Sequence, residues 1–305
     1  MQGPEPRRRL PAFEKKRVSG RRDIVTIAVG FRCLEGAMLC ADTKHTGQMA
    51  LYDPKLFHKK YPNGARSIIA IVGNSSYACM GVRKCEAKLG GLSSPTLDQM
   101  VDAIESVLLE IHVQHIHPHP DRSTVEGPDF WLLMALWSPV DGLRTYSTAQ
   151  TSVAPFPVYY CEGAGAYLGH YIIKPRYTDP HSHLAVAVSV AFTALQRIKS
   201  YDPDCGGYSQ FLTLSNEGQI SPVGQHEISQ GEAFTEGFHD YAEFLYERLC
   251  DLDLPGNEVN KQFESFKKLV LQVRTKHQRD RETRKLLDEL LAELTPSVPR
   301  KISSH

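Results

Sequence analysis

The chain has 305 residues, 41% hydrophobic and 23% charged, with 35 basic and 35 acidic side chains. This allows a sizeable core in one large domain with extensions or in two smaller ones. Balanced charge supplies no global field for nucleic acid or an anionic membrane, and no run of about 18 apolar residues exists to span a bilayer.

Residues 1–22 are basic, contain proline and show no periodicity, which predicts a disordered extension or a cleavable propeptide. No apolar core interrupts them, which argues against a secretory signal. From Ile24 to Arg32 and again from Gly36 to Asp42 apolar and small residues dominate, predicting a β-hairpin, and Ser67 to Val72 is a third β-rich run.

Helical spacing takes over in Ser76–Leu89 and Leu97–His115, the second with Leu97, Val101, Ile104, Leu108 and Ile111 on one face. His112, His115, His117 and His119 invite a metal reading. However, Pro118 and Pro120 break the helix and no acid or cysteine stands at ligand spacing, so a solvated histidine-rich turn is expected and no metal or other cofactor.

Strands return at Phe130–Trp137, Leu143–Thr148 and Val158–Cys161. A helix follows to Ile173, and another at about His183–Lys199, rich in Ala and Val and expected to be buried on most sides. Tyr201 to Gly207 is a turn-rich break. Phe211–Leu214 and Gln219–Val223 pair across Asn216-Glu217-Gly218. Beyond Ile228 the pattern becomes helical, at Phe234–Leu249 and Val259–Leu294, the latter with Phe263, Phe266, Leu269, Leu287, Leu290, Leu291 and Leu294 on one stripe and a polar middle from Arg274 to Arg284.

Seven cysteines, at positions 33, 40, 79, 85, 161, 205 and 250, are scattered and mostly lie in apolar runs, as expected of reduced thiols in a cytoplasmic protein. The order is strands, two helices, strands, two helices, strands, helices. It does not fit βαβ winding; it predicts an α+β fold, a four-layer αββα sandwich of two antiparallel sheets with a C-terminal helical extension. The expected divisions are 1–22, 23–228 and 229–305, the last an accessory helical arm.

Six short stretches carry a resemblance: Thr26 to Gly30, Gly36 to Thr43, Lys55-Leu56-Phe57, Ala70 to Gly73, Gly163 to Ala166, and Asp202 to Gly207. In this order the chain resembles the proteasome-type (20S β-subunit/HslV-like) N-terminal nucleophile hydrolases over about residues 24–225. The resemblance implies a threonine-type peptidase acting in protein breakdown. Thr26 is its nucleophile after cleavage of Val25–Thr26, Asp42 and Lys55 are its charged partners, Asp202 is a supporting acid, and the Gly73 N–H is the oxyanion donor. Ile71 and Ser75 would line the side-chain pocket. It further implies a homo-oligomer or proteasome-like ring acting on peptides or unfolded protein, with no nucleic-acid or membrane partner.

The chemistry needs these types. A threonine hydroxyl is a weak nucleophile until a base takes its proton, here the residue's own freed α-amine. A lysine cation lowers that amine's pKa, ordinarily about 7.7–8.0, and an aspartate holds the lysine in place. Taken singly, Thr26 is also an ordinary strand residue, Asp42 a strand-end acid and Lys55 a surface lysine. Three positions depart from the family pattern: Val25 stands where self-processing members have glycine, Ala164 where they have a serine, and Cys205 where they have a second serine. If Val25–Thr26 stays intact the alternative is a catalytically inactive scaffold or regulatory subunit of the same fold. An amidohydrolase for small amides is a third reading.

Overall fold

The computed structural model describes residues 26–45, 51–52, 54–120, 128–250, 255–268, 270–272 and 274–275. The basic extension 1–22, Asp23, Val25 and the stripe residues Leu269, Leu287, Leu290, Leu291 and Leu294 lie outside the described residues.

The chain divides into two compact units, Met1–Thr235 and Glu236–His305. In the first, β1 (Ile27–Cys33) and β2 (Gly36–Asp42) form the expected hairpin, and β3 (Lys44–His45) pairs with β4 (Leu51–Tyr52). Then come β5 (Leu56–Lys60), β6 (Arg66–Gly73), α1 (Ser75–Gly90) and α2 (Leu97–Ile111). Next are β7 (Phe130–Ser138), β8 (Gly142–Ala149), β9 (Ser152–Pro155) and β10 (Tyr159–Gly163). Helices α3 (Ala166–Ile173) and α4 (Leu184–Tyr201), strands β11 (Ser209–Ser215) and β12 (Ile220–Pro222), and helix α5 (Gln225–Cys250) complete the order. One sheet runs β10-β1-β2-β11-β12, the other β5-β6-β7-β8-β9, both antiparallel throughout.

Alternation along the strands sorts side chains into three apolar layers. Between the sheets lie Ala28, Ala37, Leu39 and Ala41 against Ile68, Ala70, Leu133 and Ala135, small residues that let two sheets stack about 10 Å apart. On the outer face of the β5–β9 sheet, Ile69, Ile71 and Met134 pack on Val82, Cys85, Ile104 and Leu108 of α1 and α2. On the other outer face Ile27, Val29 and Phe31 pack on Ile172, Ala191, Leu195 and Ile198 of α3 and α4. The αββα sandwich is therefore present, and it arises because the central strands bury both faces.

Several local expectations are corrected. The α-helical part of the Leu97–His115 segment ends at Ile111 and a π-helical turn, His112–Ile116, replaces its last residues. There the His112 ring is buried, with Nδ1 2.9 Å from the Leu108 carbonyl oxygen and the ring 5.9 Å from Phe130, so it is a core residue and not a solvated one. Among the described residues no group of three or more metal-ligating side chains assembles. Helix α4 buries Ala187, Val190, Ala191, Phe192, Ala194, Leu195 and Ile198, more than half of its circumference, and its exposed side is carried by residues such as Ala185, Val186 and Ser189. Strands β3, β4, β5 and β9 were not foreseen. They are short, and β5 exposes His58, Lys59 and Lys60 as an edge strand that resists further pairing.

In the second unit the end of α5 and a helical stretch over 256–268 form a hairpin. Tyr241 stacks on Phe266 at 5.1 Å between ring centroids, and its hydroxyl donates to the Gln262 carbonyl at 3.1 Å. No helix among the described residues is long and apolar enough to cross a membrane.

Candidate active site

Antiparallel topology brings four chain positions to one end of the sandwich. Thr26 precedes β1 and Asp42 closes β2, its hairpin partner; Lys55 precedes β5 and Gly73 closes β6, which pairs with β5. The two sheets are tied together there, because the Lys55 amide donates to Oε1 of Gln210 on β11 at 2.9 Å while its carbonyl accepts from Ile71 N at 3.0 Å.

Thr26, Asp42 and Lys55 meet. Thr26 Oγ1 donates to Asp42 Oδ1 at 3.0 Å and Lys55 Nζ reaches the same oxygen at 2.7 Å. The amide of Ile27 also donates to Oδ1, at 3.3 Å, and Gly206 N donates to Oδ2 at 2.7 Å. Lys55 Nζ donates in addition to the Lys44 carbonyl. All three side chains are buried, with Thr26 1%, Asp42 0% and Lys55 0% exposed. Burial pushes the Lys55 ammonium below the ordinary lysine value, and the Asp42 carboxylate works against that shift by charge and hydrogen bonding.

This arrangement is expensive as scaffolding. A buried ion pair is seldom more stabilising than apolar side chains of the same volume, since each ion loses hydration worth several kcal/mol. A carboxylate with four donors and an ammonium held against a carbonyl are instead suited to keeping a fixed positive charge beside a hydroxyl.

The surrounding glycines make the approach possible. Gly163, the last residue of β10, has φ +114, and a Cβ there would lie 2.1 Å from the Thr26 carbonyl oxygen. A Cβ on Gly165 would lie 2.4 Å from Ile198 Cγ2 and 3.1 Å from Cys205 Sγ. Cys205 is itself buried, and desolvation followed by the Asp42 and Asp202 charges pushes its thiol well above the ordinary value, so it stands near the carboxylate as a neutral, weak donor.

The other expected residues fall as follows. Asp202, at the C-terminus of α4, bonds within its own loop: its Oδ1 accepts from Asp204 N at 2.9 Å and its carbonyl from Cys205 N at 3.1 Å. It shapes the turn that presents Gly206 N to Asp42 and makes no direct bond to Thr26. Gly73 has φ +86, and a Cβ there would meet the Asp129 carbonyl at 2.6 Å, so only glycine fits. Ile71 is packed in the core against α1 and α2, and Ser75 is exposed at the first turn of α1. Sequence reasoning missed the Gly206 amide, the Lys44 carbonyl and the Gln210 amide group. The first lay within a recognised double glycine; the other two are contacts between elements distant in sequence, with no local signal. A cleft lined by Thr43, Pro54, Tyr208, Gln210, Gln225 and His226 opens beside the cluster.

No family model matches the chain, and no curated protein matches it. Solved structures do. An Anbu (ancestral beta-subunit) protein from Yersinia bercovieri superposes with a TM-score of 0.60 at 14% identity, covering 75% of this chain and 98% of that one. Anbu from Hyphomicrobium sp. strain MC1 gives 0.60 at 11% identity, with 74% and 98% covered. A structure described as a helical assembly of the Anbu complex from Pseudomonas aeruginosa gives 0.58 at 14%, with 72% and 96% covered. These findings correct the sequence resemblance. The fold is proteasome-like, but these structural neighbours are Anbu proteins, distinct from the 20S β-subunit/HslV type, and no family model or curated protein supports that narrower assignment. The six short motifs lie at strands, strand ends and turns of the sandwich, so they report its fold and not a branch within it.

Proposed function

We propose that this chain is a subunit of a proteasome-like homo-oligomer of the Anbu type and that, once Val25–Thr26 is cleaved, Thr26 acts as the nucleophile of a threonine-type peptidase on peptides or unfolded protein. The observation that carries this reading is the fully buried set of Thr26 Oγ1, Asp42 and Lys55 on one carboxylate oxygen. The oligomeric part is supported by the fold likeness, one of whose members is described as a helical assembly.

In the proposed reaction the freed Thr26 α-amine takes the hydroxyl proton as Oγ1 bonds to the scissile carbonyl carbon. The amine then gives that proton to the leaving nitrogen as the C–N bond breaks. Water, deprotonated by the same amine, hydrolyses the ester and returns the hydroxyl. The Lys55 cation keeps the amine neutral near pH 7, and Asp42 holds Lys55. The Gly73 N–H is the proposed oxyanion donor, a contact worth about 2.7–4 kcal/mol, and the chain around Ile71 and Ser75 the proposed side-chain subsite. Asp202 supports the Gly206 turn.

A second reading, an inactive scaffold of the same fold, is favoured by Thr26 being 1% exposed with its Oγ1 committed to Asp42, and by Ala164 and Cys205 offering no hydroxyl. Intact-mass measurement of the native assembled protein, paired with peptide hydrolysis by wild type and Thr26→Ala, tests the choice. A mature species beginning at Thr26, with hydrolysis lost in Thr26→Ala, supports the peptidase. A single species retaining residues 1–25 removes the mechanism and leaves the scaffold.

A further inference from the structure

A second, largely buried ion pair, which the proposed chemistry does not use, lies one strand from the first. Lys199, in the last turn of α4, places Nζ 2.7 Å from Oε1 of Glu232, two turns into α5, and 3.0 Å from Oγ of Ser209. The Ser209 hydroxyl donates to the same Glu232 oxygen at 2.5 Å. Ser209 is 1% exposed, and the Lys199 and Glu232 side chains are 16% and 24% exposed. Ions held this far from water seldom stabilise a fold more than apolar side chains of the same volume, so the pair is better explained by what it orients.

What it orients is the turn that holds Asp42. Ser209 is the register partner of Asp42 across β11 and β2. Just before it the chain passes through Gly206 and Gly207, a pair with little conformational preference of its own, the second at φ +73. One side of this turn faces the candidate site: Gly206 N donates to Asp42 Oδ2 at 2.7 Å, the Gly206 carbonyl accepts from Lys44 N at 3.1 Å, and Tyr208 N donates to Thr43 Oγ1 at 2.9 Å. The Lys44 carbonyl in turn accepts from Lys55 Nζ, so the turn supports both residues whose oxygens receive that ammonium. The other side faces the ion pair: the Gly207 carbonyl lies 3.4 Å from Lys199 Nζ, and the Ser209 carbonyl accepts from Gln225 Nε2 of α5 at 3.1 Å. Asp202 fixes the start of this loop through Asp204 N and Cys205 N; Lys199 and Glu232 hold its end.

We propose that Lys199, held by Glu232, is a positioning residue for Asp42: it fixes the Gly206–Ser209 segment so that Gly206 N stays on Oδ2 while Oδ1 remains turned to Lys55 and Thr26. Its effect on rate rests on the reading of Thr26 as nucleophile; its effect on geometry does not. Without the pair, the glycine turn loses its anchor and Asp42 loses a donor. The carboxylate then carries more uncompensated negative charge beside the Thr26 α-amine, which raises that amine's pKa and moves the acid limb of the rate profile to higher pH. The other titratable groups around the carboxylate are Lys55, from the other sheet, and Cys205 with Asp202, from the loop after α4, and the pair's removal alters none of them.

Hydrogen–deuterium exchange on the full-length assembled protein reads the geometry, and the pH dependence of kcat/KM for peptide hydrolysis reads its consequence. The test variant is Lys199→Met/Glu232→Gln, which removes both charges together and so neither strands a buried ion nor changes the net charge. It is expected to raise exchange of the Gly206–Ser209 amides about 10-fold or more while those of β1 and β7 stay at wild-type rates. The acid limb of kcat/KM should move up by about half a pH unit or more. Ser209→Ala, which removes only the hydroxyl joining the pair to β11, should loosen the same amides by a smaller factor, and Lys199→Arg should match wild type in both measurements. Exchange at Gly206–Ser209 that stays at the wild-type rate in both loosening variants, or that rises equally throughout the sandwich, overturns the proposal. So does an acid limb that stays in place in a protein that hydrolyses peptide. A wild type that hydrolyses nothing refutes the peptidase reading by itself, and the exchange result alone then upholds or overturns the positioning role.

Discussion

Replacing Lys55 with methionine isolates the cost of one buried charge. Asp42 is fully buried and its Oδ1 takes the lysine ammonium at 2.7 Å. Methionine fills most of the same volume but leaves the carboxylate with neutral donors only: the Thr26 hydroxyl and the Ile27 and Gly206 amides. Breaking a buried pair from one side costs about 3–5 kcal/mol, since the remaining ion keeps its desolvation penalty without its partner. With a urea dependence of about 2 kcal/mol per molar, the unfolding midpoint should fall by about 2 M. Urea titration at pH 7, followed by circular dichroism, reads this directly. The double variant Lys55→Met/Asp42→Leu removes both charges and should recover most of the loss. A Lys55→Met midpoint within about 0.3 M of wild type would refute the reasoning, because it would mean that water reaches the pair and screens it.

Asp42→Asn reverses the perturbation. Burial already holds the Lys55 pKa down and the carboxylate is what opposes it. Without Asp42 the folded protein binds fewer protons than the unfolded chain below the ordinary lysine value of about 10.4, so stability is full above that pH and is lost as pH falls toward the folded pKa. The melting temperature of Asp42→Asn relative to wild type should therefore rise between pH 7 and pH 9; a flat difference would count against it. Gly163→Ala places a methyl 2.1 Å from the Thr26 carbonyl oxygen at φ +114 and should cost roughly 3 kcal/mol or more, measured by the same titration. If the peptidase reading holds, Thr26→Ser should keep measurable hydrolysis while Thr26→Ala loses at least about 10³-fold, since only the former retains a hydroxyl. Of the seven thiols, Cys79 and Cys250 are exposed and should react with a thiol reagent in the native protein, whereas the other five should need denaturant. Burial pushes the Cys85 thiol up to about 12 and the Cys40 thiol further still, so neither offers a thiolate to the reagent.

Much of the first unit was legible locally. Strands such as Arg66–Gly73 and Phe130–Ser138 are unbroken apolar runs because they are covered on both faces, and α2 carries its apolar stripe together with a Thr96/Gln99 capping box. What local pattern failed to show are the edges. Strand β9 reads Ser-Val-Ala-Pro and β5 ends in His-Lys-Lys, sequences that become strands only because a neighbouring strand offers hydrogen bonds. Within the histidine cluster only His112 departs from the expected solvated turn, for a related reason: it is buried by Phe130, a residue 18 positions away that the helical wheel does not contain.

The sequence by itself determined the αββα order and the hairpin that carries Thr26 and Asp42 to one strand end. These follow from period-2 and period-3.6 burial, which are local properties. Only the tertiary structure decided that Lys55, from the other sheet, shares a carboxylate oxygen with Thr26, and that Gly206 N and the Lys44 carbonyl complete the set. It also brought out the fold likeness to solved Anbu structures, because at 11–14% identity the backbone path is retained while most of the sequence has diverged. Contacts between distant segments depend on how two sheets stack, and that geometry is written in the packing of many small residues, not in any one motif.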